Sequence, residues 1–113
     1  MKLSAVQIRS TSFDLKSRIL HGVPMFYTYV LLSLKDNKYY IGYTSDLRKR
    51  IKEHFSGKSF ATKSRLPFKL IFYEAFENKE DTLRREKYFK TNSGKKTLKL
   101  MLRSHNSSSE KSG

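Results

Sequence analysis

The chain has 113 residues, room for one domain. It carries 24 Lys and Arg against 10 Asp and Glu, a formal net charge of +14, which selects a polyanionic partner: nucleic acid first, an anionic membrane second. The absence of cysteine excludes disulfides, zinc–thiolate sites and thiol nucleophiles, the three histidines are scattered, and no apolar run approaches the ~20 residues that span a bilayer.

Residues 1–24 contain Ser and Arg, hold one acid (Asp14), and show weak periodicity. Val6, Phe13, Leu15, Ile19 and Leu20 are spaced to line part of an amphipathic helix, but the plainer expectation is a poorly ordered extension ending at Gly22-Val23-Pro24. It has no apolar h-region for secretion, and an organelle transit peptide is the weaker alternative to a cytoplasmic, nucleoid-associated protein. The Ser/Asn/Gly-rich tail over 104–113 reads as disordered. The domain is therefore 25–103, which keeps 19 of the basic residues and 8 of the acids. The charge belongs to the folded part.

Phe26–Leu34 is aromatic, aliphatic and β-branched, and predicts a strand. Lys35-Asp36-Asn37-Lys38 is a polar turn and Tyr39–Tyr43 a second strand. A loop centred on Asp36-Asn37 pairs Leu34 with Tyr39 and Ser33 with Tyr40. Thr28, Val30, Leu32, Leu34, Tyr39, Ile41 and Tyr43 then share a core face. Tyr29, Tyr40 and Gly42 share the other.

Ser45 or Asp46 caps a helix running to about Ser56, with Gly57 as its stop. Leu47, Ile51 and Phe55 recur every four residues and are expected to face the core. Arg50 and His54 stack on a neighbouring stripe. Lys58–Arg65 is a basic loop and Pro67–Phe76 a third strand. Asn78 caps a helix through about Lys90, with Glu80 and Asp81 as charges suited to its N-terminus. A loop at Thr91-Asn92-Ser93-Gly94 precedes a last short helix over Thr97–Arg103. The order β-β-α-β-α-α predicts an α+β domain, a three-stranded antiparallel sheet flanked by helices.

Hydrolysing a phosphodiester needs an attacking water, neutralisation of the anionic phosphorus centre and support for the leaving alkoxide. Tyr29 is the candidate that takes the proton of the water. A free phenol, with a pKa near 10, is only about one-thousandth ionised at pH 7, so a cation must favour its phenolate. Arg50 offers a fixed fork of donors for phosphate oxygens. His54 is placed to relay protons or bind phosphate. Glu86 is a candidate ligand for Mg²⁺, which commonly takes one or two carboxylates with water and phosphate; its plain alternative is an ion pair with Lys90. Arg48 and Lys49, the loop residues Lys58, Lys63 and Arg65, and Lys87, Lys90, Lys95 and Lys96 are placed to track backbone phosphates. There is no base-reading motif, which points to recognition of structure over sequence.

Tyr27-Thr28-Tyr29, Tyr40-Ile41-Gly42, the run Thr44–Arg50 with His54, and Leu83–Lys90 around Glu86 together resemble a GIY-YIG nuclease domain. The resemblance covers nearly all of 25–103. It is greatest to small stand-alone members akin to the N-terminal domain of the excision-repair nuclease UvrC. It implies a DNA endonuclease using Mg²⁺ or Mn²⁺, with Tyr29 as general base, Tyr40 assisting, Arg50 stabilising the transition state and Glu86 holding one metal ion. DNA repair or recombination, on branched, nicked or single-stranded DNA, is the implied setting, with a protein partner able to supply specificity. The first motif here is Tyr-Thr-Tyr, without the name-giving Gly-Ile. Tyr43 stands where some members carry a lysine near the base, and Asn92 is the nearest match to a late asparagine. Two rivals remain: a non-catalytic nucleic-acid-binding module on this scaffold, and a small basic ribosome-associated protein.

Overall fold

The computed structural model describes residues 24–106. The expectations for the N-terminal extension, Pro24 excepted, and for the tail beyond Asn106 lie outside the described residues. Three strands, β1 (Phe26–Ser33), β2 (Tyr39–Thr44) and β3 (Phe68–Phe76), form one antiparallel sheet in the order β2-β1-β3. Helices α1 (Leu47–Phe55), α2 (Lys79–Phe89) and α3 (Asn92–Met101) complete the fold, with a single 3₁₀ turn at Lys63–Arg65. No described helix is long and apolar enough to cross a membrane.

β1 is the centre of the molecule, and from Thr28 to Ser33 it is buried on both sides. Val30 and Ile41 meet Phe89 of α2 and Leu98 of α3. Tyr29, Leu31 and Phe68 meet Leu47 and Ile51 of α1. The sheet thus lies between α1 and the α2–α3 pair. The single core face expected from the hairpin is half of this arrangement. The face carrying Tyr29 and Tyr40 is a second core, because α1 folds back over it. Ile71 is an extra residue in β3, bulged between the pairs Val30–Phe72 and Leu31–Leu70. The bulge turns both Ile71 and Phe72 toward the α2–α3 side.

The hairpin register differs from the expected one by two residues. Leu32 pairs with Tyr39, Leu31 with Tyr40, and Tyr29 with Gly42. The loop is closed by the Ser33 N–H on the Lys38 carbonyl at 2.9 Å. The Ser33 hydroxyl accepts from the N–H groups of Lys35 and Asp36, and Asn37 takes a left-handed φ of 60°. Leu34 is drawn into the turn, is 56% exposed, and donates its N–H to the Pro67 carbonyl. An even slip preserves the faces, so Tyr29 and Tyr40 remain on the same side.

The helices begin at side-chain caps. Asp46 accepts from the Lys49 N–H at 3.1 Å and Asn78 from the Glu80 N–H at 2.8 Å. Gly57, at φ 79°, follows the end of α1. α3 starts five residues before the expected Thr97, because Thr91 is a cap that accepts from the Gly94 N–H at 3.0 Å. Of the tail expected over 104–113, residues 104–106 are helical, and the Tyr39 hydroxyl donates to Asn106 Oδ1 at 3.0 Å. Two contacts fix α2 on the sheet. Thr28 Oγ1 donates to the Thr82 carbonyl at 2.8 Å, and Arg85 grips Glu74 at 2.8 and 3.0 Å with its guanidinium 4.3 Å from the Phe89 ring centre.

Candidate active site

Tyr29 projects from β1 toward α1 and is 1% exposed. Opposite it in β2 is Gly42, where a Cβ would overlap the Tyr29 ring and hydroxyl. The glycine is therefore space for the phenol. Tyr40 is two residues along β2 on the same face, its ring centre 6.4 Å from that of Tyr29. His54 of α1 faces both rings edge-on, at 5.6 Å from Tyr29 and 5.2 Å from Tyr40.

His54 is fully buried, and both ring nitrogens are engaged: Nε2 lies 2.8 Å from the Tyr29 hydroxyl and Nδ1 2.7 Å from Thr62 Oγ1. It has no nitrogen left for a phosphate, which corrects that part of the sequence expectation. Phe55, expected to face the core with Leu47 and Ile51, is instead 47% exposed. Leu47, Ile51 and His54 form the buried side, a spacing as helical as Leu47, Ile51 and Phe55.

Arg50, one turn before His54, is half-buried. Nη1 pairs with Glu53 Oε1 at 2.9 Å and Nη2 reaches Ser59 Oγ at 3.4 Å. Burial pushes the Tyr29 phenol up to about 12. Hydrogen bonding and charge from Arg50 pull it back, while Tyr40 and Glu86 raise it further. At that value only about one phenol in a hundred thousand is ionised at pH 7. Burial likewise pulls His54 down to about 4, with Arg50 adding to the effect and Glu53 opposing it. The imidazole is neutral at physiological pH. The hydrogen bond to Glu53 raises the Arg50 guanidinium, and the same bond lowers the Glu53 carboxyl.

Glu86 lies on α2, one turn after the anchored Thr82. Its side chain is 21% exposed, with Oε2 paired to Lys90 Nζ at 3.0 Å. The ion pair with Lys90 is thus formed, and Glu86 is also close enough to act electrostatically on Tyr29. Three elements, β1, β2 and α1, accordingly deliver Tyr29, Tyr40, Arg50 and His54 to one neighbourhood, and Glu86 of α2 adds its charge there.

The basic residues divide. Arg48, Lys49 and Lys58 are exposed and border a groove of about 500 Å³ together with Lys52, which the sequence reading passed over. Lys52 lies three and four residues beyond Lys49 and Arg48, a helical spacing that could have found it. Lys63 stands 5.3 Å above the ring centre of Phe60, itself 85% exposed. Lys87, Lys95 and Lys96 are exposed on α2 and α3, and Lys90 is held by Glu86. Arg65 has other work. It holds Asp36 at 2.7 and 3.3 Å and donates to the carbonyls of Lys38 and Tyr39, so it clamps the β1–β2 turn and is not free for phosphate. Asn92 is the exposed first residue of α3. Ser59 and Thr62 are buried loop residues touching the site that no pattern in the sequence marks.

Residues 25–101 match the GIY-YIG catalytic domain. The chain belongs to the GIY-YIG family. Membership makes it a domain of nuclease type, with nucleic acid as the class of substrate. Among its relatives, UPF0213 protein YazA of Bacillus subtilis is 45% identical over 69 residues, covering 60% of this chain and 70% of its own. UPF0213 protein spr1390 of Streptococcus pneumoniae is 48% identical over 65 residues, covering 57% and 65%. The solution NMR structure of UPF0213 protein BH0048 from Bacillus halodurans is 39% identical, with a TM-score of 0.44, covering 68% of this chain and 84% of that one.

Proposed function

We propose that this GIY-YIG domain is a divalent-metal-dependent endonuclease that hydrolyses DNA phosphodiester bonds, in DNA repair, recombination or processing. The observation that carries the reading is the meeting of Tyr29, Tyr40, His54 and Arg50, with Glu86 in electrostatic reach of the Tyr29 hydroxyl. Tyr29 receives the proton of the attacking water. Arg50 leaves Glu53 and Ser59 to donate to the non-bridging phosphate oxygens as charge develops on them. Tyr40 orients water or phosphate through its hydroxyl. Arg48, Lys49, Lys52 and Lys58 guide the backbone toward the site.

Among the described residues no three of His, Cys, Asp and Glu gather as a metal cage. Glu86 nevertheless fits a hard cation, as a half-buried carboxylate whose charge is felt at the Tyr29 phenol. Glu86 would be the one protein ligand of Mg²⁺ or Mn²⁺ there, with water and substrate phosphate as the remaining oxygen donors. Once bound, such an ion neutralises phosphate charge and supports the leaving alkoxide. Lys90 pairs with one Glu86 oxygen and offsets its charge until then.

A second reading, the non-catalytic nucleic-acid-binding module, is favoured by the Tyr29 phenol standing at about 12, where the base form is scarce. The test is to incubate the full chain with nicked, branched and single-stranded DNA in Mg²⁺, in Mn²⁺ and in EDTA. The expected result is metal-dependent cutting that is lost in Tyr29→Phe, Arg50→Ala and Glu86→Ala. Salt-sensitive binding without cutting in either metal leaves only the module.

A further inference from the structure

The segment joining α1 to β3 is pinned where it passes the site. Ser59, 6% exposed, receives Arg50 Nη2 at 3.4 Å, and the fully buried Thr62 meets His54 Nδ1 at 2.7 Å. A tight turn closes between them, with the N–H groups of Thr62 and Lys63 on the Ser59 carbonyl at 3.1 and 3.0 Å. Phe60 lies inside that turn, one peptide bond from Ser59, and its side chain points outward. It is 85% exposed, more than any other large apolar side chain among the described residues.

A single apolar side chain at the surface is ordinary. This one is set apart by its setting. Buried, hydrogen-bonded neighbours on either side fix its backbone beside the site. Lys63 Nζ stands 5.3 Å from its ring centre, a cation against an apolar plane. From residue 56 to residue 67 the chain has Lys58, Lys63 and Arg65 and no acid, and Lys58 borders the groove shared with Arg48, Lys49 and Lys52. Charge decides among the occupants. A second copy brings another +14, and residues 1–23 of this chain bring four Lys and Arg against one acid, so both meet like charge here. Nucleic acid brings what the patch lacks: phosphates for the lysines and a flat π-face for the ring.

We infer that Phe60 is a base-stacking residue: an unpaired base of the strand bound at the site lies on its ring, with Lys58 and Lys63 on the flanking phosphates. The inference rests on nucleic acid being the partner, and it adds the conformation of nucleic acid that the site takes. Bases inside a duplex are covered on both faces by their neighbours. A ring protruding from a protein reaches a base face only where the stack is open, as in a single strand, a frayed end, a branch or a flipped nucleotide. Lysines on phosphates serve paired and unpaired strands alike. Phe60 serves only the unpaired. Its tie through Ser59 to Arg50 links the stacked base to the phosphate that Arg50 receives, so the ring also sets the register of the strand.

The experiment is binding of the full chain, in EDTA so that nothing is cut, followed by fluorescence anisotropy at fixed salt. Three labelled ligands are compared: a DNA single strand, the duplex of the same sequence, and an abasic strand that keeps the phosphates without the rings. Phe60→Ala is expected to weaken the single strand about fivefold to a hundredfold, the loss of one stacked base, and to leave the other two within about twofold of the parent. Phe60→Leu, apolar but without a flat face, should fall with Phe60→Ala. Phe60→Trp should bind at least as well as the parent. The chain has no tryptophan of its own, so the indole fluorescence of this variant should be quenched by the single strand and not by the abasic one. Unchanged single-strand affinity in Phe60→Ala overturns the inference, as does equal weakening on all three ligands, or Phe60→Leu binding like the parent. So does sedimentation in which the parent self-associates and Phe60→Ala does not, which makes a second copy the occupant. A parent chain that binds none of the three ligands fails the nucleic-acid reading itself, and the inference with it. A chain that binds and never cuts in metal fails only the nuclease reading. Phe60 is too exposed to hold the core together, so circular dichroism of each variant should match the parent.

Discussion

The two faces of one sheet have been put to different uses. On the α2–α3 side, Val30, Ile41, Phe89 and Leu98 make an apolar core, with the Thr28 hydroxyl on the Thr82 carbonyl as a buried polar tie beside it. On the α1 side, Tyr29 and Leu31 sit among residues that must also satisfy hydrogen bonds: His54, Thr62 and, half-exposed, Arg50. Alternate residues of β1 feed the two layers, so neighbours in sequence answer to different rules. A buried group that is merely large adds area removed from water. A buried group that is polar adds a constraint on its neighbours, and on the α1 side those constraints run to the candidate catalytic hydroxyl.

The largest effect expected from breaking this contrast is on stability. Phe89→Ala empties the apolar side and should cost about 3–5 kcal/mol, a large share of what a domain of this size has. Urea unfolding followed by circular dichroism measures it. Tyr29→Phe on the other face should lower metal-dependent cleavage by about 10²–10⁴-fold while costing only about 1–3 kcal/mol, because a ring remains and one buried hydrogen bond is lost. If Tyr29→Phe unfolds the domain as Phe89→Ala does and leaves residual cutting intact, the faces do not differ as argued.

The contrast also has a pH signature. His54 is held down to about 4 when folded, against an ordinary value near 6.5 when unfolded. Between these values the unfolded chain binds the proton and the folded one does not. Stability from this group is therefore full above pH 6.5 and lost as pH falls toward 4, by up to about 3 kcal/mol. Urea midpoints at pH 7 and pH 4.5 should diverge in the parent chain, and the difference should shrink in His54→Gln. The smallest effect expected is from Glu53→Gln. It loosens the hold on Arg50 in a pair that is one-third exposed, so the urea midpoint should barely move. DNA binding, titrated at fixed salt, should strengthen a few-fold.

Most of the framework could be read from the chain. The aromatic and β-branched runs, the caps Asp46 and Asn78, and Gly57 mark the sheet and two helices by local chemistry that the tertiary structure did not override. The register was not legible, because it depends on the Ser33 hydroxyl collecting two turn N–H groups, which ends β1 one residue early. The start of α3 was hidden by Thr91-Asn92-Ser93-Gly94, a sequence that suits a loop and a capped first turn equally. The site was legible as residue types in order, but its burial was not. Helical spacing allows either His54 or Phe55 to follow Ile51 inward, and hydrophobicity favours the phenylalanine. Two hydroxyls distant in sequence, on Tyr29 and Thr62, make the histidine the better choice. Lone residues such as Thr62 carry no pattern at all.

The segment between α1 and β3 is fastened at both ends. Ser59 receives Arg50 near its start. Near its end Arg65 grips the β1–β2 turn, its carbonyl accepts from Ser33, and the Lys35 ammonium reaches the Ser64 carbonyl. A loop so moored is a wall rather than a door. Nucleic acid would then come and go without waiting for this segment to open, and turnover would be set by what happens at the phosphate. The far hairpin turn, through Asp36 and Arg65, would matter for the pose of Thr62 without ever meeting the substrate.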